Sequence, residues 1–266
     1  MSYCLGMCLN DGLVFLSDSR TNAGIDSVAT FRKTFIFDES EDRVLVLLSA
    51  GNLAITQAVV TLLTERLSES DTGRSLYAAT TMFETARIIG AVLREVHDQD
   101  GEALAAQGVD FAASFILGGQ IKGGPCRMFN IYNAGNFIES SRETPYFQIG
   151  ETKYGKPILE RVLRPDTPLM NAAKCGLVSF DSTIRANLSV GPPLDLTIIL
   201  RDTHAVAMRH TFAFGDSYFD RVAKIWGDGL RTIFDTLPDP RWAEALHAAQ
   251  EAATRASAQS QEAAEA

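Results

Sequence analysis

A serine stands second in the chain, in Met1-Ser2-Tyr3-Cys4. A serine hydroxyl is a weak nucleophile and needs a base to take its proton. Removal of Met1 would supply that base on the same residue, because an α-amino group has an ordinary pKa near ~7.7–8.0 and accepts a proton at neutral pH. A nearby cation lowers the proton affinity of both groups. Lys33, in Phe31-Arg32-Lys33, is the candidate, with Asp18 to hold its ammonium and Arg20 close by in Ser17-Asp18-Ser19-Arg20. In Ser49-Ala50-Gly51-Asn52 a strand gives way to a helix, so the Gly51 N–H is a candidate donor to a developing oxyanion. Together these groups suit nucleophilic attack on a carbonyl. A Ser-His-Asp arrangement is not available: His97, His204, His210 and His247 lie outside any recognisable motif and read as surface or packing residues.

The elements that must position these groups begin with a hairpin. Residues 3–9 and 13–17 are short apolar runs flanking Asn10-Asp11-Gly12, a turn signal. Antiparallel pairing around that turn makes opposed residue numbers sum to about 21–23, which lays Ser2 opposite the stretch 19–21. Asp18 and Arg20 alternate with Ser19 and are expected on one face. Further strands are expected at 34–38, 43–48, 110–118, 126–133, 145–149, 194–202 and 205–212. Helical spacing is read from Leu53 to Leu67, through Leu76, Phe83, Ile89 and Val96, and over 218–234. Asp166-Thr167-Pro168 offers the N-cap of one more helix, followed by a proline suited to its first turn, with Leu169, Ala173, Leu177, Phe180 and Ile184 along one face. Hairpins separated by helix pairs predict an α+β layered fold, with one domain over 1–242 and an Ala- and Glu-rich tail, 243–266, that is helical or disordered.

Composition narrows the partners. The 266 residues are 46% hydrophobic and 21% charged, an ordinary globular balance. No apolar run reaches the ~18 residues of a membrane span, and no secretory signal is expected. With 24 basic and 33 acidic side chains the net charge is −9, which disfavours nucleic acid. Four cysteines without CxxC spacing argue against zinc and against a disulfide framework, and fit a reducing cytoplasm.

The order of these motifs resembles the proteasome β-subunit family, the N-terminal-nucleophile peptidases. Matching residues are Ser2, DGLVFLSDSRTNAG (11–24), Lys33 and SAG (49–51); SDSRTNAGIDSVATFRK (17–33) is similar to the bacterial Anbu branch. The resemblance covers roughly residues 2–215. It implies a four-layer αββα sandwich, self-assembly into a homo-oligomeric ring or ring-like complex, and hydrolysis of peptide bonds without a cofactor or metal. It also implies roles. Ser2 is the nucleophile, its amine the base, Asp18, Arg20 and Lys33 the charge network, and Gly51 the oxyanion donor. Thr21, Asn22 and Ala23 form the edge that pairs with an extended substrate, and Ser49 sits at the specificity pocket. The chain departs from the pattern in three places: serine replaces threonine at the nucleophile, Glu151 stands where the family has serine, and Ala186 stands where it has aspartate. Asn187 is adjacent to that last position, and Ser189 and Gly191 are retained. Glu151, Asn187 and Ser189 are therefore the supporting residues. A scaffold or binding shell of the same fold, and a small-amide hydrolase, remain alternatives.

Overall fold

The computed structural model describes residues 2–22, 28–69 and 73–265. Its elements run β1 (Tyr3–Leu9), β2 (Gly12–Asp18), β3 (Arg20–Asn22), β4 (Val28–Thr30), β5 (Thr34–Phe37), β6 (Arg43–Gly51), α1 (Leu53–Glu65), α2 (Met82–Ala106), β7 (Ala113–Ile121), β8 (Arg127–Ile131), β9 (Phe137–Glu139), β10 (Tyr146–Gly150), α3 (Lys156–Val162), α4 (Leu169–Ala186), β11 (Leu194–Leu200), β12 (Val206–Phe212), α5 (Ser217–Asp235) and α6 (Ala243–Glu265). The fold is mixed α/β with antiparallel sheets. One five-stranded sheet has the order β10-β1-β2-β11-β12, a second has β5-β6-β7-β8-β9, and β3 pairs with β4 alone.

Period-two alternation explains how both sheets are buried. Tyr3, Leu5 and Met7 of β1 and Val14 and Leu16 of β2 join one core with Leu159 of α3 and Ala173, Leu177 and Phe180 of α4. The intervening Cys4, Leu13 and Phe15 meet Val44, Val46 and Leu48 of β6 in a second core, shared by the two sheets. Leu45 and Leu47 of β6 turn the other way, into a third core with Val59 of α1 and Ile89 and Leu93 of α2. A strand with apolar residues on both faces has no solvent side, so its register is fixed by two cores at once.

Helix starts follow local chemistry. Asn52 Oδ1 accepts from Ala54 N at 3.0 Å and caps α1. Thr81 Oγ1 accepts from Glu84 N at 3.1 Å while Glu84 Oε2 accepts from Thr80 N at 2.7 Å, a reciprocal cap for α2. Ahead of α4 the expectation needs correction. Pro168 is itself the N-cap, its carbonyl accepting from Asn171 and Ala172. Thr167 is engaged upstream, its Oγ1 accepting from Arg164 N at 2.9 Å, so the helix opens after Asp166 and Thr167. Three short pairs or turns carry too little periodicity to be read from sequence: β3 with β4, β9, and α3.

The chain divides into two compact units, one through Ala223 and one from Lys224. In the second unit α5 ends and α6 follows, with Ile225, Ile233, Phe234 and Trp242 exposed. α6 runs without a break over Ala243–Glu265. Among the described residues no helix is long and apolar enough to cross a membrane.

Candidate active site

The hairpin register is the first determinant of the site. Cys4 lies opposite Ser17 and Leu9 opposite Gly12, so paired numbers sum to 21. One step beyond the ladder, Tyr3 N donates to Asp18 Oδ1 at 2.9 Å. The half-buried Ser2 then precedes the first strand residue, next to the residue bonded to Asp18. On its other side Ser2 is held by the strand exit of β10: the Ser2 carbonyl accepts from Glu151 N at 2.7 Å. Gly150 makes this approach possible. Its φ is +82°, and a Cβ there would lie 2.0 Å from the Ser2 oxygen.

Asp18 is the hub. Lys33 Nζ donates to its Oδ1 at 2.7 Å and also to the Arg20 carbonyl at 2.6 Å. The Asp18 and Lys33 side chains are 0% and 6% exposed. Burial pushes the Asp18 carboxyl above the usual carboxylate value, against the pull of Lys33 and of the Tyr3 and Gly191 N–H groups. Arg20 enters differently from expectation. Its carbonyl serves Lys33, while its guanidinium turns away to donate to the Leu188 carbonyl at 2.9 Å and lies over Gly191, where a Cβ would meet Cζ at 2.5 Å. The turn after α4 is thereby bound to β3. Ser19 adds to this seam through N–H and Oγ bonds to the Pro193 carbonyl at 3.0 and 2.8 Å.

The supporting residues meet in the same place. Asn187 Nδ2 donates to Glu151 Oε2 at 3.1 Å, and Asn187 Oδ1 accepts from Ser189 N at 2.9 Å. Glu151, only 7% exposed, is thus tied by side chain to the turn after α4 and by backbone to Ser2.

The second sheet brings Ser49 and Gly51. Ser49, 4% exposed, donates its N–H to the Lys33 carbonyl at 2.9 Å and accepts from Cys4 Sγ at 3.4 Å through its own carbonyl. Gly51 closes β6 opposite Ala113 with φ +125°. A Cβ there would meet the Ala112 carbonyl at 2.2 Å, so only glycine fits. The helix N-terminus proper belongs to Asn52, and Gly51 sits one residue outside the cap. Thr21 and Asn22 lie in β3, opposite Ala29 and Val28. Ala23 is outside the described residues, as is Met1.

Some of the partners went unread in the sequence. The Tyr3 N–H bond to Asp18 was implicit in the register, since 3 and 18 also sum to 21. The Leu188 and Pro193 carbonyls carry no side-chain signal and reach the site across more than 160 residues. The histidines lie in other contacts: His97 stands edge-on to Phe111, and His210 to Phe212.

Comparison with known proteins gives one consistent result. A structure described as Anbu, ancestral beta-subunit, from Yersinia bercovieri is 48% identical, with a TM-score of 0.83 and a match covering 90% of this chain and 99% of that one. An Anbu (Gly-1) mutant from Hyphomicrobium sp. strain MC1 is 47% identical at a TM-score of 0.84, over 90% and 99% of the two chains. A structure described as the helical assembly of the Anbu complex from Pseudomonas aeruginosa is 47% identical at 0.85, over 91% and 99%. No family model and no curated protein matches the chain.

Proposed function

The chain belongs to the Anbu family of proteasome-related proteins, and from that premise we propose that it is a self-compartmentalising N-terminal-nucleophile hydrolase that cleaves peptide bonds through Ser2 once Met1 is removed. The observation that carries this reading is the Asp18 carboxylate, which receives both the Lys33 ammonium and the N–H of the residue next to Ser2. A buried cation that shares a carboxylate oxygen with the residue next to a serine has a chemical use there and a desolvation cost anywhere.

In this reading Ser2 Oγ attacks the substrate carbonyl and passes its proton to the Ser2 α-amine, with Lys33 lowering the proton affinity of both. Gly51 N–H donates to the oxyanion of the tetrahedral intermediate. The amine returns the proton to the leaving nitrogen as the C–N bond breaks, leaving an ester on Ser2. Water, deprotonated by the same amine, then releases the acid product. Asp18 holds Lys33, and Arg20 holds both the lysine and the turn after α4. Thr21 and Asn22, with Ala23, offer the substrate an edge, and Ser49 borders its side-chain pocket. Glu151, Asn187 and Ser189 support the nucleophile. The three stacked cores support a four-layer αββα sandwich, and the described helical complex of a relative supports a homo-oligomeric ring or ring-like assembly of this chain. Four free cysteines support a cytoplasmic location.

The test is acylation. Chain freed of Met1 by methionine aminopeptidase and treated with an electrophilic peptide probe is expected to carry one adduct on the Ser2 peptide, absent in Ser2→Ala. A folded, processed chain that never takes the adduct would overturn the hydrolase and leave the binding shell.

A further inference from the structure

Among the described residues Glu151 is a carboxylate without a cation. It is 7% exposed, and its side-chain partners are neutral: Asn187 Nδ2 at 3.1 Å and the Lys153 N–H at 3.4 Å. Among the described residues it makes no ion pair, whereas Asp18 on the other side of Ser2 is paired with Lys33. Carboxylates are rarely buried unless a positive charge compensates them. Its backbone N–H is bonded to the carbonyl of Ser2, the residue that gains an ammonium group when Met1 is removed.

Resting on the reading of the Ser2 amine as base, we propose that Glu151 is the counter-ion of the processed α-ammonium, a positioning residue that anchors the new chain end and raises its proton affinity. The charged groups gathered at this end are Asp18 from β2, Arg20 from β3, Lys33 ahead of β5, and Glu151 and Lys153 after β10. Arg20 is taken by Leu188 and Lys33 by Asp18, and Lys153 is exposed to solvent, which leaves Glu151 as the one buried charge of this group without an opposite charge among the described residues. Two opposed effects then act on the amine: Lys33 lowers its proton affinity and Glu151 raises it. Where Glu151 prevails, the amine is free only on the alkaline side of neutrality, and acylation rises with pH up to that range. Asn187 sets the carboxylate's direction through the turn that also holds Arg20.

The amine can be titrated without any peptidase activity. Periodate cleaves an N-terminal serine only through its free amine, so the rate of cleavage against pH, followed by intact mass on the Met1-free chain, gives the midpoint. The wild-type midpoint is expected above the ordinary ~7.7–8.0. Glu151→Gln, which keeps the acceptor for Asn187, is expected to lower it by about half a pH unit or more, and Glu151→Asp to hold it near wild type. A Glu151→Gln midpoint equal to wild type would overturn the proposal. Should that variant fail to fold, a wild-type midpoint at or below ~7.7–8.0 would overturn it equally. A shifted midpoint in a chain that never takes the peptide probe would sustain the counter-ion and sink the hydrolase.

Discussion

Asp18 and Asp42 each hold a basic side chain at 2.7 Å, and their carboxyls move in opposite directions. Asp18 with Lys33 lies beside Ser2, both side chains almost wholly buried. Asp42 with Arg43 lies at the start of β6, with the aspartate side chain 43% exposed. Burial dominates at Asp18 and pushes its carboxyl up. At Asp42 the forked hydrogen bonds from Arg43 dominate, at 2.8 Å from Nε and 2.7 Å from Nη2, with Ser40 adding a third, and they hold the carboxyl well below the usual range. The same pair of charges is a structural clamp where water reaches it. Where water is excluded, desolvation offsets much of what the pair gains.

The comparison breaks first at Lys33. Lys33→Met strands the buried Asp18 without its cation, and is expected to cost about 3–5 kcal/mol in denaturant unfolding and to abolish acylation of Ser2. Asp18→Asn with Lys33→Met removes both charges; most of the stability is expected to return and none of the acylation. A double variant as unstable as the single would show that the pair itself, not the orphaned charge, holds the site. Arg43→Ala is expected to cost about 1–3 kcal/mol, because Arg43 also caps the Leu76 and Ala79 carbonyls at 3.0 and 2.7 Å, while leaving acylation unchanged.

The smallest effect is the sharpest in sign. Relative to the ordinary aspartate value of 3.8, the Asp18 carboxyl is raised and the Asp42 carboxyl lowered. A raised folded pKa contributes stability that is complete below 3.8 and lost as pH climbs through the folded value. A lowered one contributes stability that is present above 3.8 and lost as pH falls through the folded value. Carboxyl 13C NMR should place the Asp18 midpoint above 3.8 and the Asp42 midpoint below it; two midpoints on the same side would end the contrast.

The two regions also differ in how far the sequence discloses them. Asn10-Asp11-Gly12 with apolar runs on both sides fixed the hairpin, and arithmetic on the register brought Asp18 to Tyr3. Lys33 follows because it closes the short segment ahead of β5. The direction of the Arg20 guanidinium was not legible: its partner is a backbone carbonyl in a turn whose position depends on where α4 ends. Glu151 and Asn187 were visible as exchanges of residue type, but their hydrogen bond joins the exit of β10 to the end of α4, and two helices intervene. Local signals marked the residues; the tertiary packing of α3 and α4 paired them. The start of α4 is displaced to Pro168 because Thr167 serves Arg164 instead of the helix.

The hydrogen bond from Glu151 to the Ser2 carbonyl has a consequence in time. Ser2 is synthesised well before the groups that seat it, at 150 and 151, and those that lock its neighbours, at 187–193. A domain made N-terminus first cannot close these contacts until most of its length has emerged. A residue made early is therefore among the last to be placed, and a product truncated before residue 150 would carry the serine without its site.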